Sequence, residues 1–161
     1  MFFSSLYRIF AFVMNQKEHQ ILISLASNEG QEAHLAAARE QLIQLLTEAH
    51  FTSAIWTIPI DNSPLNIDHC SASDSSANNG QWSMFNGESK MKYLNQLCTG
   101  TTALGEGLLC EVLKEIEKRL GRTRNEDGIV AIDLDLLQYD ERKHHLRDWE
   151  RNYVKDLLNE L

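Results

Sequence analysis

The chain predicts an α+β sandwich of the split βαβ kind, with helices lying on one face of a mostly antiparallel sheet. Two observations carry this prediction. Short β-branched and aromatic runs alternate with stretches whose apolar residues recur at helical spacing, and their order is strand, helix, strand, strand, helix, strand.

The first strand covers residues 20–25 and leaves through the turn Ala26, Ser27, Asn28, Glu29 and Gly30. Residues 31–49 form the first helix, because Leu35, Ala38, Leu42, Leu45 and Leu46 share one face, and that stripe is core. Residues 51–60, with Pro59 near their end, form the second strand. Residues 61–90 change composition to Ser, Asn, Asp and Gly and read as a long loop, a length that usually carries function or is disordered. The third strand spans residues 91–102, with Tyr93, Asn95 and Leu97 on one face and Leu94 and Cys98 on the other. Residues 104–120 form the second helix on the band Leu108, Leu109, Val112, Leu113, Ile116 and Leu120, and Gly121 suits its C-terminal cap. A polar connection, residues 123–128, enters the last strand at residues 129–137. Residues 147–161 set Trp149, Tyr153, Leu157 and Leu158 at helix-compatible spacing, and no internal repeat is visible.

At 161 residues the chain fits one domain, and its 43% hydrophobic and 24% charged composition is that of a soluble globular protein. The domain is assigned to residues 20–161, preceded by an extension, residues 1–19. That extension begins apolar and aromatic, yet lacks a cleavage site and is too short to span a bilayer. The expectation is a misplaced start, with Met14 as initiator, or a dispensable flexible arm; an extra element packed on the domain is the alternative. Lys+Arg 15 against Asp+Glu 23 leaves a formal charge of -8, which argues against general nucleic-acid binding, although local Arg clusters can still hold small phosphates. Cys70, Cys98 and Cys110 are odd in number and lack CxxC spacing, so neither a disulfide framework nor a zinc site is expected, and a cytoplasmic location is the simpler reading. Oligomeric state is not legible at this level.

Within the last strand, Asp133 and Asp135 interrupt the run Ile129, Val130, Ala131, Ile132, Leu134, Leu136 and Leu137. Residues two apart on a strand project together, so these carboxylates lie side by side. Adjacent like charges in an apolar setting need positive compensation. A hard divalent cation such as Mg2+, which keeps waters and substrate phosphates as its other ligands, supplies it. The alternative is a strand end at the surface with both acids solvated.

Several local patterns resemble one family. Ile116 and Glu117 with Leu120, Gly121 and Arg122 look like its helix end, and Ile132 to Leu137 like its metal strand. His145, Arg151 and Tyr153 keep the spacing of its closing motif; Ser27 and Asn28 resemble its Gly-Ser-Asn turn with Ala26 for Gly. Thr57, Ile58 and Pro59 resemble its Thr-Pro-Pro, and Tyr93, Leu94 and Asn95 match its Tyr-Leu-Asn. Together they cover nearly all of residues 21–161 and resemble the 6-hydroxymethyl-7,8-dihydropterin pyrophosphokinases of folate biosynthesis. The resemblance implies a ferredoxin-like domain that moves pyrophosphate from ATP to a reduced pterin and releases AMP. It implies that Asp133 and Asp135 hold two Mg2+ ions, that Tyr93 and Tyr153 sandwich the pterin, and that Asn95, Thr57 and backbone groups near Ile60 meet its polar edge. It further implies that His145 and Arg151 contact phosphates, that Glu117 binds polar groups of the nucleotide, and that Arg122 and Arg124 flank a loop closing over ATP. Its partners are then small molecules, with no nucleic acid and no membrane.

The chain departs from the family where an aromatic residue, Gly, Pro and Arg are usual before the metal strand. Here Asp127, Gly128, Ile129 and Val130 stand, so a cation expected near the phosphates is missing. Lys90 or Lys92 from the long loop is the expected replacement. The alternatives are a catalytically impaired relative that binds pterin or nucleotide as a regulatory or interaction module, and a generic ferredoxin-like interaction domain whose acidic strand takes up adventitious metal.

Overall fold

The computed structural model describes residues 17–58, 92–123 and 128–161. The extension up to residue 16, the loop 61–90 and Arg124 therefore lie outside the described residues, as does Ile60. The elements run β1 (His19–Ser27), α1 (Gln31–Leu45), β2 (Thr47–Phe51), β3 (Ile55–Thr57), β4 (Tyr93–Thr102), α2 (Glu106–Arg119), β5 (Asp133–Tyr139), β6 (Arg142–Lys143), a 3-10 turn (Asp148–Glu150) and α3 (Asn152–Leu158). The strands form one six-stranded sheet in the order β2-β4-β1-β5-β6, with β3 also on β4. Every pairing is antiparallel, as the α+β ferredoxin-like reading requires.

Alternation along β1 divides the core. Ile21, Ile23 and Leu25 pack with Leu35, Ala38 and Leu42 of α1, Leu109, Leu113 and Ile116 of α2, and Leu134 and Leu136 of β5. Leu22 faces the opposite way and joins Leu97, Leu137, Val154 and Leu157 in a smaller cluster under α3. The two long helices thus cover one face, and the short last helix covers part of the other. A register shift between Leu22 and Ile23 leaves one extra residue in β5 between Leu136 and Tyr139, so Tyr139 returns to the first face opposite Ile21 although it lies an odd number of residues from Leu136.

Several element boundaries differ from the sequence expectation, Ala26 and Ser27 belonging to β1 and not to the turn after it, and four of the differences have a clear local reason. The first helix ends at Leu45, not at residue 49: Leu46 turns extended, φ -112 and ψ 148, yet stays buried, so the apolar period runs on past the helix. Thr47 to Phe51 then gain β4 as a partner, with Thr47 opposite Thr101 and Phe51 opposite Cys98. Gly100 permits this approach, since a Cβ there would lie 3.1 Å from the Thr47 carbonyl oxygen. The expected second strand, residues 51–60, is broken at Thr52, whose buried hydroxyl accepts the Leu97 N–H at 3.0 Å and replaces a ladder contact.

The last strand begins at Asp133 rather than residue 129. Val130, Ala131 and Ile132 are buried without a strand partner, and the Asn28 side chain serves instead, accepting the Val130 N–H at 2.7 Å and donating to the Gly128 carbonyl at 2.8 Å. The short β6 and the 3-10 turn were not legible in the apolar pattern, because their residues are mostly exposed. Where the caps were read correctly the geometry is plain: Gly121 adopts φ 92, and the Arg122 N–H reaches back to the Glu117 carbonyl at 3.0 Å. Cys98 lies in the core, where burial pushes its thiol up to about 12. Among the described residues, no helix is long and apolar enough to cross a membrane.

Candidate functional site

Register across the sheet assembles the site. Asn95 of β4 stands opposite Ala26 of β1, which stands opposite Asp133 of β5; Leu97, Ser24 and Asp135 make the next row. Residues directly opposite in adjacent strands share a face. Asp133 and Asp135 therefore lie on the α3 side of the sheet, two inter-strand spacings, or roughly 10 Å, from Asn95. β3 extends the same rows outward, Ile55 opposite Asn95 and Thr57 opposite Tyr93. Asn95 is 3% exposed and donates to the Thr57 hydroxyl at 2.8 Å, so its carboxamide is held in one orientation. Tyr93, Asn95 and Leu97 share a face as the alternation required.

The acid pair is half-buried, each side chain 29% exposed, and faces cations from α2 and the turn that follows it. Arg122, just beyond the α2 cap, donates to Asp133 and also approaches the Glu117 carboxylate at 3.4 Å. Lys114 Nζ stands 3.8 Å from Asp133 and 3.9 Å from Asp135. Burial, and then the neighbouring Asp133 charge, hold the Asp135 carboxyl above the ordinary carboxylate value despite Lys114 and His145. Burial alone would lower the Arg122 guanidinium, but the bond to Asp133 and the surrounding acids outweigh it and raise it. This is the electrostatic condition expected of a cation site: two carboxylates crowded together, partly desolvated, and faced by the positive charge of Lys114 and Arg122. The donor set, carboxylate oxygens open to water on one side, fits a hard divalent ion.

The C-terminal residues close the site. His145, in a left-handed turn at φ 49, brings Nε2 to 3.9 Å from Asp135. Asp135, His145 and Asp148 each offer a ligand atom, all within 4.8 Å of one another. Arg151 pairs with Asp148 at 2.9 Å and lies 6.0 Å over the Tyr153 ring, the outer reach of a cation–π contact. Tyr153 is half-buried against the smaller cluster that Ile55 also joins, and burial raises its hydroxyl pKa. The fold thus gathers Asp133, Asp135, His145, Arg151 and Tyr153 on the same side as Thr57, Tyr93 and Asn95, with Arg122 reaching Asp133 from the end of α2.

Glu117 is placed differently from an open nucleotide ligand. Its side chain is 4% exposed, and Oε1 accepts the Leu134 N–H at 2.7 Å and Lys114 Nζ at 2.8 Å. Burial raises its carboxyl above the ordinary value, and those two hydrogen bonds oppose the rise. Since Leu134 lies between the two acids, Glu117 pins the backbone that carries them. Lys114 and Asp148 were not read as site residues from the sequence. Lys114 had a signal, its spacing three before Glu117 on one helix face; Asp148 had none, because its place depends on the turn after β6.

Residues 22–161 match the family model described as 7,8-dihydro-6-hydroxymethylpterin-pyrophosphokinase (HPPK). No match to an individual curated protein was found. With the acids on one strand, the Thr57, Tyr93 and Asn95 group across the same face, and a match over nearly the whole described fold, the chain belongs to the 7,8-dihydro-6-hydroxymethylpterin-pyrophosphokinase family.

Proposed function

We propose that the chain transfers pyrophosphate from ATP to the hydroxymethyl group of 6-hydroxymethyl-7,8-dihydropterin, a step of folate biosynthesis, releasing AMP. The observation that carries this reading is the placement of Asp133 and Asp135 on one sheet face with Asn95, two strands away. That separation suits an acceptor held at one end and a phosphate chain at the other.

On the pterin side, Tyr93 and Tyr153 offer ring faces, and Asn95 with Thr57 and the backbone near Ile60 offers donors and acceptors to the flat polar edge. On the nucleotide side, Arg151 and His145 meet phosphate oxygens, with Arg122 and Arg124 following α2. Asp133 and Asp135 are the residues that would hold two Mg2+ ions, whose charge would offset that of the phosphates and of the developing transition state. The acceptor oxygen forms a bond to the β-phosphorus as the bond from that phosphorus to the bridging α-oxygen breaks. AMP leaves with the bridging oxygen, and the acceptor hydroxyl releases its proton to solvent. Little covalent work falls to the protein, so alignment and charge compensation supply most of the acceleration.

A second reading, a binding module with weak turnover, is favoured by Val130. Val130 is 7% exposed and its backbone is tied to Asn28, so no cation projects from the place where the family carries Arg. Incubation with ATP, Mg2+ and the pterin, with AMP measured, separates the two. Pterin-dependent AMP release supports the enzyme, and pterin binding without AMP supports the module. Absence of both rejects the family activity for this chain.

A further inference from the structure

The ground beside the acid pair carries more positive charge than the residues expected from sequence. An open cavity of about 440 Å3 is lined by Lys114, Glu117, Lys118, Arg122 and Thr123, three cations to one acid. Lys114 forms the border between this cavity and the acids. Its ammonium hydrogen-bonds Glu117 at 2.8 Å, whereas its contacts with Asp133 and Asp135, at 3.8 and 3.9 Å, are at the outer limit of an ion pair. The side chain is 58% exposed, and a lysine stem is flexible, so the charge can move without disturbing α2.

An ammonium and a divalent ion compete for the same pair of carboxylates. When the acids are occupied by metal, the repelled ammonium has a nearby destination, the cavity it already lines with Lys118 and Arg122. We infer that Lys114 is a phosphate-binding residue with two positions: it neutralises Asp133 and Asp135 in the metal-free chain and turns to the nucleotide's phosphates once a divalent ion has displaced it. It thereby supplies the positive charge that buried Val130 does not. The second half of this inference rests on the proposed nucleotide site.

The two halves predict effects of opposite sign, which a merely structural lysine would not produce. Lys114→Gln keeps a good helix former and a donor to Glu117 while removing the charge; Lys114→Arg keeps the charge. Mn2+ alone, followed by electron paramagnetic resonance, reports the acids, and calorimetry with a non-hydrolysable ATP analogue and Mg2+ reports the cavity. In Lys114→Gln, Mn2+ binds roughly three- to tenfold tighter and the analogue roughly tenfold weaker, with Lys114→Arg returning the analogue affinity close to wild type. Mn2+ and analogue affinities that are both unchanged, or both weakened, overturn the role of Lys114 even if the wild-type chain turns over. A wild-type chain that takes up Mn2+ at the acids but binds no nucleotide refutes the proposed function and the phosphate half of this inference with it. Tighter Mn2+ binding in Lys114→Gln of that chain upholds the acid-pairing half.

Discussion

Glu117→Ala tests whether this carboxylate is a clamp beneath the acids or a ligand of the nucleotide. In the clamp reading, truncation removes the acceptor of the buried Leu134 N–H, which costs about 1–3 kcal/mol. The vacated space adds about 1 kcal/mol. Two terms offset these: the buried charge that raises the Glu117 pKa is gone, and its partners are not stranded, since Lys114 is 58% exposed and Arg122 keeps Asp133. The net loss is about 2–3 kcal/mol, which for a chain of this size lowers Tm by roughly 5–10 °C without any ligand present. Glu117→Gln retains an acceptor and removes the charge, so it unfolds within about 1 kcal/mol of wild type. Thermal and urea unfolding of the metal-free chain, read by circular dichroism, measures both variants. An Ala variant that melts within about 2 °C of wild type yet loses nucleotide binding refutes the clamp and restores Glu117 as a direct ligand.

Asp133→Ala and Asp135→Ala each abolish AMP release while the chain stays folded, measured by product formation beside an unfolding curve; full activity in either rejects the metal assignment. Asp135→Asn raises the Tm of the metal-free chain near neutral pH. Its carboxyl is held above its ordinary 3.8, so the ionised form is penalised above the folded pKa, and the gain vanishes as pH falls below 3.8. Equal or larger gains in acid contradict that sign. Asn95→Leu weakens pterin binding by roughly tenfold or more in calorimetry and leaves the nucleotide affinity alone, because Asn95 lies two strands from the acids and its partner Thr57 one strand further out. The double substitution Lys90→Ala and Lys92→Ala leaves ATP affinity unchanged when Lys114 supplies the compensating charge; a clear loss returns that role to the long loop.

How much was legible varies with the range of the interaction responsible. Apolar period located α1 and α2 because each buries one stripe, and it placed Tyr93, Asn95 and Leu97 together because alternation is a local property of a strand. The same period overran the end of α1 at Leu46, which is buried by the core whether its backbone is helical or extended. It also placed the start of the last strand too early, since Val130 to Ile132 are apolar and buried yet held by Asn28, a residue about 100 positions away. Resemblance of short motifs proposed the acids, His145, Arg151 and Tyr153 as site residues and Glu117 as a nucleotide ligand, and gave no sign of the place of Glu117 under Leu134.

By itself the order of residues determined the fold class, the paired carboxylates of one strand and the family, because local alternation, helical spacing and short motifs are written in neighbouring positions. Tertiary structure alone decided that Lys114 and Arg122 balance those carboxylates, that Asp148 stands beside His145, and that Asn95 faces Asp133 across β1. Charges and rows of this kind come from strands and helices far apart in the chain, and only their packing brings them within a few ångströms.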